Sequence, residues 1–132
     1  MLTMDSTYKT NKYRLPLFEI VGSTSTEKTY LMAFALLTSV KEDNFVWALQ
    51  SVRGRLRCED DVKVIVTDRD QALMNAVDIV FPKCTPLLCR YHILCNIKTN
   101  FLMKAKLGKR VRSGQVWRNV NILWEDIVDY DT

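Results

Sequence analysis

The segment that most constrains the fold is a short, valine-rich apolar run at residues 62–67, which ends at Asp68. Runs of this kind are typical of a strand buried inside a parallel sheet. Apolar residues at helical spacing precede the run and follow it, so the strand lies between two crossover helices. Because such crossovers are right-handed almost without exception, few topologies remain open to the chain.

Three more strand-like segments come before the first helix. Polar turns separate them, so they predict an antiparallel meander. The last of them contains an apolar run that could be mistaken for a helix, but its length and its flanking turns favour a strand. The three segments are residues 1–8, 15–21 and 29–37.

The first helix is predicted over residues 44–56, where apolar residues recur at i, i+3, i+4 and i+7 from Phe45 onward. Asp43 or Asn44 is expected to cap its start. Trp47 lies within the helix, and its position predicts packing in the core. The second helix is expected to begin after Asp70 as its N-cap and to present Leu73, Ala76, Val77 and Val80 on one face.

A fifth strand is predicted over residues 86–91, and a third helix follows it. The order of elements is therefore β-β-β-α-β-α-β-α. The first crossover helix returns the chain to the side of strand one, so strand four lies parallel to strand one at the centre of the sheet. This order predicts an α/β fold of the ribonuclease-H-like type, with a mixed sheet in the order 3-2-1-4-5 and flanking helices.

Two carboxylates lie at the ends of the two central strands of this sheet. Asp5 ends the first strand and Asp68 ends the fourth. A carboxylate at the mouth of a buried strand is costly unless something nearby needs its charge. Adjacent strands lie about 4.8 Å apart, so the two side chains can share a divalent cation. Sites of this kind cleave or transfer phosphodiesters.

The composition fits one domain, with 132 residues, 48% of them hydrophobic and 26% charged. No apolar run approaches the ~20 residues that cross a membrane, so no membrane partner is expected. The net charge of +4 permits a nucleic-acid partner without demanding one. No signal peptide is visible, which favours reduced cysteines. The abrupt start and the end of the chain indicate a fragment of a longer protein.

Separate blocks of sequence occur in one order between about residues 2 and 103. They cover residues 5–13, 16–17, 21–22, 45–49, 67–73, 80–82, 88–93 and 96–97. Together the blocks resemble the MULE transposase domain of Mutator-like elements, and plant far-red-response transcription factors share them. The resemblance covers residues 1–103 as an incomplete catalytic domain, and residues 104–132 are a basic and then helical extension.

This resemblance implies a DDE enzyme, in which two aspartates and a glutamate bind two divalent ions. The first two acids fall on Asp5 and Asp68, which are thereby implied to be catalytic and to bind Mg²⁺ or Mn²⁺. The third acid is not assigned, because the surroundings of Glu125, the only glutamate after Glu59, match no trusted pattern. The resemblance also implies DNA partners, namely transposon terminal repeats and target DNA, and a nuclear location. Homo-oligomerisation stays open.

Three residues are candidates for supporting the active site. Asp70 has its simplest role as a helix N-cap, and the alternative is a contact that supports the metal site. Cys89 and His92 form a Cys-x-x-His block that the family carries, and His92 is a candidate for positioning a phosphate or a water. A purely structural His92 remains the alternative.

Zinc is a further interpretation of the cysteines. Cys84, Cys89, His92 and Cys95 are potential ligands. Their spacing is tighter than that of common structural zinc sites, and a strand points alternate residues apart. The pattern therefore disfavours zinc and favours small buried side chains at Cys84 and Cys95.

A basic cluster follows the third helix. Contact with DNA phosphates and nuclear import are two interpretations, and a solvated linker is the commoner explanation for such a run. Its members are Lys104, Lys106, Lys109, Arg110 and Arg112.

The leading hypothesis is the partial catalytic core of a Mutator-like DDE transposase, inactive alone because its third acid is not placed. The alternative is a domesticated, non-catalytic regulator associated with DNA, or an interaction module. A stand-alone nuclease of the ribonuclease-H type is disfavoured by the matching blocks and by the missing acid.

Overall fold

The computed structural model describes residues 1–8, 10–104 and 113–129. They form a mixed α/β structure with five strands and four helices, and a single 3-10 turn spans Glu59–Asp61. In chain order the elements are β1 (Leu2–Thr7), β2 (Leu17–Ser23), β3 (Thr29–Leu36), α1 (Glu42–Arg53), β4 (Val64–Thr67), α2 (Gln71–Val80), β5 (Thr85–Leu88), α3 (Arg90–Lys104) and α4 (Ser113–Asp129).

The five strands form one sheet in the order β3-β2-β1-β4-β5, which confirms the predicted order. β1, β2 and β3 pair antiparallel as the predicted meander. β4 pairs parallel with β1 and with β5, because α1 and α2 act as the crossovers. β1 therefore lies at the centre, between an antiparallel and a parallel neighbour.

The hydrophobic core brings the sheet together with α1 and α2. Phe18 on β2 meets Phe45 on α1 edge to face, with ring centroids 5.1 Å apart. The four predicted apolar positions of α2 are all buried, from Leu73 to Val80. The alternation of buried and half-buried residues along β2 shows that one face of the sheet carries this core.

The start of α1 differs from the prediction, because its N-cap is Lys41 rather than Asp43 or Asn44. The carbonyl of Lys41 accepts hydrogen bonds from the backbone N–H groups of Asn44 and Phe45. The side-chain amide of Asn44 donates a hydrogen bond of 2.8 Å to the carbonyl oxygen of Ser39, which fixes the preceding loop. Asp43 lies in the first turn, where a negative charge favours the helix dipole.

The predicted core position of Trp47 is wrong, because 61% of this side chain is exposed. Phe45, Ala48 and Leu49 fill the buried face of α1. Trp47 lies two residues after Phe45, and residues at that separation do not share a helix face.

The fifth strand is shorter than predicted and ends at Leu88. α3 already begins at Arg90, so Tyr91 and His92 are helical rather than part of a strand. The helix α3 therefore begins three residues before Ile93, the first of the apolar residues at helical spacing.

The chain forms two compact units, Met1–His92 and Ile93–Thr132. The first contains the whole sheet with α1 and α2. In the second, the rings of Phe101 and Trp117 lie 6.0 Å apart and link α3 to α4. None of the helices that the structure describes is both long and apolar enough to span a membrane.

Candidate functional site

Asp5 and Asp68 lie side by side on the two central strands. The parallel register pairs Leu2 with Ile65 and Thr3 with Val66. The same offset, continued along both strands, sets Asp5 level with Asp68. Asp68 directly follows β4 as predicted, whereas Asp5 lies within β1 because that strand continues to Thr7. The sheet therefore brings the two carboxylates together at the same end of its central strands.

Asp5 contacts the backbone on one side and a histidine on the other. Its Oδ1 accepts a hydrogen bond of 2.8 Å from the N–H of Ser6. Its Oδ2 lies 3.7 Å from Nε2 of His92, an ion pair whenever the imidazole is protonated. Cross-strand from Asp5 on β2 is Glu19, a second acid on the same face of the sheet. Two oxygens of Asp5 thus face different partners.

Burial raises the pKa of Asp68, and the negative charges of Asp5 and Asp70 raise it further. A hydrogen bond of 3.3 Å from the backbone N–H of Asp70 to Oδ1 works in the opposite direction, as does the charge of His92. The raised pKa means that the ionised carboxylate lacks full compensation by the protein. A cation beside Asp5 and Asp68 would supply that compensation.

Asp70 has the role that its sequence position predicts. Its Oδ1 accepts a hydrogen bond of 3.1 Å from the N–H of Leu73, which confirms it as the N-cap of α2. Its own N–H donates to Asp68 at the same time. One residue therefore starts α2 and orients a carboxylate of the candidate site.

His92 reaches the site from the start of α3, not from the end of β5 as predicted. Its Nδ1 is buried and has no hydrogen-bond partner in the part of the chain that the structure describes. The backbone N–H of Cys89 donates to the carbonyl of Thr67 at 2.7 Å, so the segment before α3 is fixed next to Asp68. This bond explains how a helical histidine comes to face Asp5.

Tyr8 is a site residue that the sequence did not single out. It follows β1 directly, and 55% of the side chain is exposed. Burial raises the pKa of its phenol, and so do the charges of Asp70 and Asp68. The phenol therefore lies near both carboxylates. No spacing pattern singles it out, and the sequence shows only that it lies three residues after Asp5 within the block at residues 5–13.

The donor set fits a hard divalent ion through two carboxylates. Mg²⁺ is commonly held by one or two protein carboxylates, with waters and substrate phosphates as further ligands. Among the side chains that the structure describes, no three His, Cys, Asp or Glu residues are grouped closely enough to hold a metal ion. Two ligands from this chain thus match Mg²⁺ or Mn²⁺ bound together with substrate.

Two of the four potential zinc ligands lie at opposite ends of β5, and the predicted burial of Cys84 and Cys95 is wrong, because both are only half-buried. Cys84 precedes β5, where its thiol donates to the carbonyl of Val62 at 2.8 Å. Cys89 follows the same strand at its opposite end. Because β5 separates Cys84 from Cys89, a site that uses both would need a different arrangement of this strand.

Two further sequence candidates lie in the second unit. Lys104 ends α3 and is exposed, and the rest of the basic cluster, Lys106, Lys109, Arg110 and Arg112, lies outside the described residues. Glu125 lies on α4, where its Oε1 accepts a hydrogen bond of 3.1 Å from the Asn121 side chain.

Known proteins match most of the chain. The family model of the MULE transposase domain covers residues 1–96. Protein FAR1-RELATED SEQUENCE 5 of Arabidopsis thaliana is 31% identical over 93 residues, which cover 70% of this chain and 12% of that protein. Protein FAR-RED IMPAIRED RESPONSE 1 of the same plant is 30% identical over 105 residues, covering 76% of this chain and 12% of that protein.

A fungal protein matches as well. The PKS-NRPS hybrid synthetase cheA of Chaetomium globosum is 31% identical over 112 residues, which cover 83% of this chain and only 2% of the synthetase. The chain thus spans a small part of each of these curated relatives. The match of the family model includes every element from β1 to the start of α3. The resemblance drawn from the sequence blocks is confirmed, and the chain belongs to the MULE transposase domain family.

Proposed function

We propose that this chain is part of the catalytic domain of a Mutator-like DDE transposase, built on a ribonuclease-H-like fold. The reaction class is metal-dependent cleavage and transfer of DNA strands. The observation that carries the proposal is the in-register pair of Asp5 and Asp68 on adjacent parallel strands. A membership in the MULE transposase domain family over residues 1–96 supports the same reaction class.

Asp5 and Asp68 would hold Mg²⁺ or Mn²⁺. Such an ion, when bound, activates an attacking oxygen and stabilises the charge on a leaving oxygen. The protein contributes orientation: the Ser6 N–H fixes Asp5, and the Asp70 N–H fixes Asp68. The hydrogen bond to Asp68 leaves its second oxygen available for a ligand, whereas the second oxygen of Asp5 lies beside His92.

His92 and Tyr8 supply groups that could act on substrate. The imidazole of His92 lies next to Asp5, where a protonated ring would contact a DNA phosphate. The phenol of Tyr8 is half-exposed at the end of β1, near Asp68 and Asp70, and can donate a hydrogen bond to a phosphate oxygen. DNA of the transposon ends and of the target is the substrate in this proposal, and the nucleus is the location.

We expect the isolated chain to be inactive. A DDE site needs a third acid, and the sequence assigns none, because the surroundings of Glu125 match no trusted pattern. The loss of one preorganised group of an active site typically costs about 10²–10³ in rate.

A regulator without catalysis is the second candidate function. Two of the plant relatives are named for FAR1 relatedness or for a far-red response, and their aligned regions cover this domain. A domesticated copy would keep the fold and its DNA association, and metal binding would be dispensable. Asp5 and Asp68 would then contribute no more to the function of the domain than any other pair of half-exposed acids.

Metal binding separates the two candidates. Isothermal titration calorimetry with Mn²⁺ should detect binding to the chain, and Asp5→Asn and Asp68→Asn should each abolish it. Asp78→Asn is the matched control, because it removes an exposed acid from α2. A folded chain that binds no Mn²⁺ would favour the regulator.

The prediction of inactivity has its own assay. The purified chain is incubated with terminal-repeat DNA and Mn²⁺, and nicked products are separated on a denaturing gel. No nicking is expected above that of an Asp5→Asn chain. Nicking that requires Asp5 would show that the chain is a complete nuclease.

A further inference from the structure

The loop between β1 and β2 lies beside the candidate site. The structure describes this β1–β2 loop at residues 8 and 10–16. The loop leaves β1 at the end of the strand that carries Asp5. Tyr8, its first residue, lies near Asp68, whose charge acts on the phenol. A group bound to the loop would therefore lie next to the two carboxylates.

Asn11 holds the β1–β2 loop in one shape. Its side-chain N–H donates to the carbonyl oxygen of Leu15 at 2.7 Å, and its Oδ1 accepts from the N–H groups of Tyr13 and Leu15 at 3.1 and 3.3 Å. Its carbonyl oxygen accepts a hydrogen bond of 3.0 Å from the N–H of Arg14. One half-buried residue thus fixes the backbone of Tyr13 and Arg14, while the side chains of both stay exposed.

The loop presents two bases and an aromatic ring to solvent. Lys12, Tyr13 and Arg14 are all exposed, and the exposed fraction of Tyr13 is 62%. Nζ of Lys12 lies 4.8 Å from the centroid of the Tyr13 ring, a distance at which the ring attracts a cation. The lysine lies over one face of the ring, so the exposed remainder can receive a second flat group.

The acids at this end of the sheet lie outside the loop. The sequence from Tyr8 to Phe18 contains no aspartate and no glutamate. Glu42, at the start of α1, accepts a hydrogen bond of 2.9 Å from Asn75 and is thereby directed toward α2. The other acids on the strand ends and helix starts at this end are Asp5, Glu19, Asp43, Asp68 and Asp70. The loop is therefore a basic surface beside an acidic site.

Bases next to an exposed aromatic ring are the features that bind a single strand of nucleic acid. The bases attract the phosphates, and the ring stacks on a base of any sequence. An acidic peptide would use the two cations but not the flat ring, whereas a DNA strand uses both. Where the strand continues from the loop to Asp5 and Asp68, a divalent ion would offset the repulsion between its phosphate and the carboxylates.

We propose that the β1–β2 loop binds the DNA strand that enters the candidate site, with Lys12 and Arg14 on its phosphates and the Tyr13 ring stacked on an unpaired base. The inference rests on the proposed function for the identity of the strand as DNA. It adds contacts to the neighbouring nucleotides, which a pair of carboxylates cannot supply. Asn11 is a positioning residue for this surface, because its hydrogen bonds fix the backbone of Tyr13 and Arg14.

Fluorescence anisotropy with a labelled oligothymidylate tests the two bases on the 132-residue chain. The titrations are made in EDTA over a series of salt concentrations, so neither cleavage nor bound metal contributes. The double variant Lys12→Gln, Arg14→Asn should bind at least about tenfold more weakly, and the slope of log K against log salt should fall in magnitude by about 1.4, because each lost phosphate contact on a single strand removes about 0.7. Asparagine replaces Arg14 because it tolerates the left-handed backbone there, where φ is 54°.

Tyr13→Ala tests the ring. It should weaken binding of the oligothymidylate by about fivefold or more, because stacking on a base is lost. Binding of a labelled duplex should weaken less, since paired bases are not available to the ring. Lys28→Gln is the control: it removes an exposed base from the loop between β2 and β3, at the opposite end of the sheet, and should leave affinity and slope unchanged.

The outcomes separate this inference from the proposed catalysis. A double variant that binds the oligothymidylate like the parent chain would place DNA binding elsewhere and would overturn the proposal, as would a parent chain that binds no DNA. An equal loss for single strand and duplex in Tyr13→Ala would overturn the stacking contact. A chain whose DNA affinity depends on Lys12 and Arg14 but which binds no Mn²⁺ in calorimetry would contradict the proposed catalysis and support this surface.

Discussion

Asp5 and Asp68 lie level at the same end of β1 and β4, because the parallel register that pairs Thr3 with Val66, extended by two residues, reaches both. Their charges interact across that strand pair, and the Asp5 carboxylate contributes to the raised pKa of Asp68. The relationship depends on the position of β1 and β4 at the centre of the sheet.

The charge of Asp5 can be removed without a change in side-chain size. In Asp5→Asn we expect the pKa of Asp68 to fall, since a nearby negative charge no longer opposes ionisation. An NMR titration of the Asp68 carboxyl carbon measures the shift. Asp78→Asn serves as the control and should leave the Asp68 pKa where it is. An unchanged value in Asp5→Asn would show that the two carboxylates do not interact.

The stability of the chain should depend on pH through Asp68. The ordinary pKa of the group is 3.8, and the folded value is higher. Between these two values the folded state holds more protons than the unfolded state, so the free energy of unfolding falls as pH rises. Urea titrations at several pH values measure this slope, and Asp68→Asn should reduce it. A slope that is unaffected by Asp68→Asn would assign the pH dependence to other groups.

Asp70 should contribute to stability as the N-cap of α2. Asp70→Ala removes the acceptor for the Leu73 N–H and should lower the free energy of unfolding by about 1 kcal/mol. Asp70→Asn keeps a side-chain oxygen at the same place and should cost less. Urea denaturation of the three chains makes the comparison, and equal losses in both variants would argue against a capping role.

Two aromatic residues of α1 should differ sharply in how much they contribute to the free energy of unfolding. Phe45 is fully buried against Phe18, and Phe45→Ala should cost about 3–5 kcal/mol of unfolding free energy. Trp47 is mostly exposed, and Trp47→Ala should change stability by less than about 0.5 kcal/mol. Chemical denaturation measures both. A large loss at Trp47 would mean that its ring is buried in solution.

Much of the fold could be predicted because the strong signals are local. The apolar spacing of α2, its Asp70 cap and the buried run before Asp68 each determine one element, and chain connectivity then determines the sheet order. The start of α1 was misassigned because three neighbouring polar residues, Asp43, Asn44 and Lys41, compete for one end. The choice depends on the hydrogen bonds that Asn44 makes to the loop before it.

The sequence predicts Asp5 and Asp68 as the acids of the candidate site and offers Asp70, Cys89 and His92 as supporting residues. Asp5 and Asp68 follow from strand endings and topology, both of which the sequence carries. The contact between Asp5 and His92 depends on where α3 begins, and the bond from Cys89 to Thr67 determines that. Tyr8 has no pattern of its own, and its nearness to Asp68 results from the path of the chain after β1.

The proline in β5 sets a limit on how far this sheet can be extended. β5 is the opposite outer strand, only four residues long, and Pro86 within it has no amide hydrogen to donate. A sheet that can add a neighbour on one side only cannot build a fibre by repeated addition. The β5 side of the sheet therefore cannot form a complete ladder with a further strand, which protects this edge against edge-to-edge aggregation.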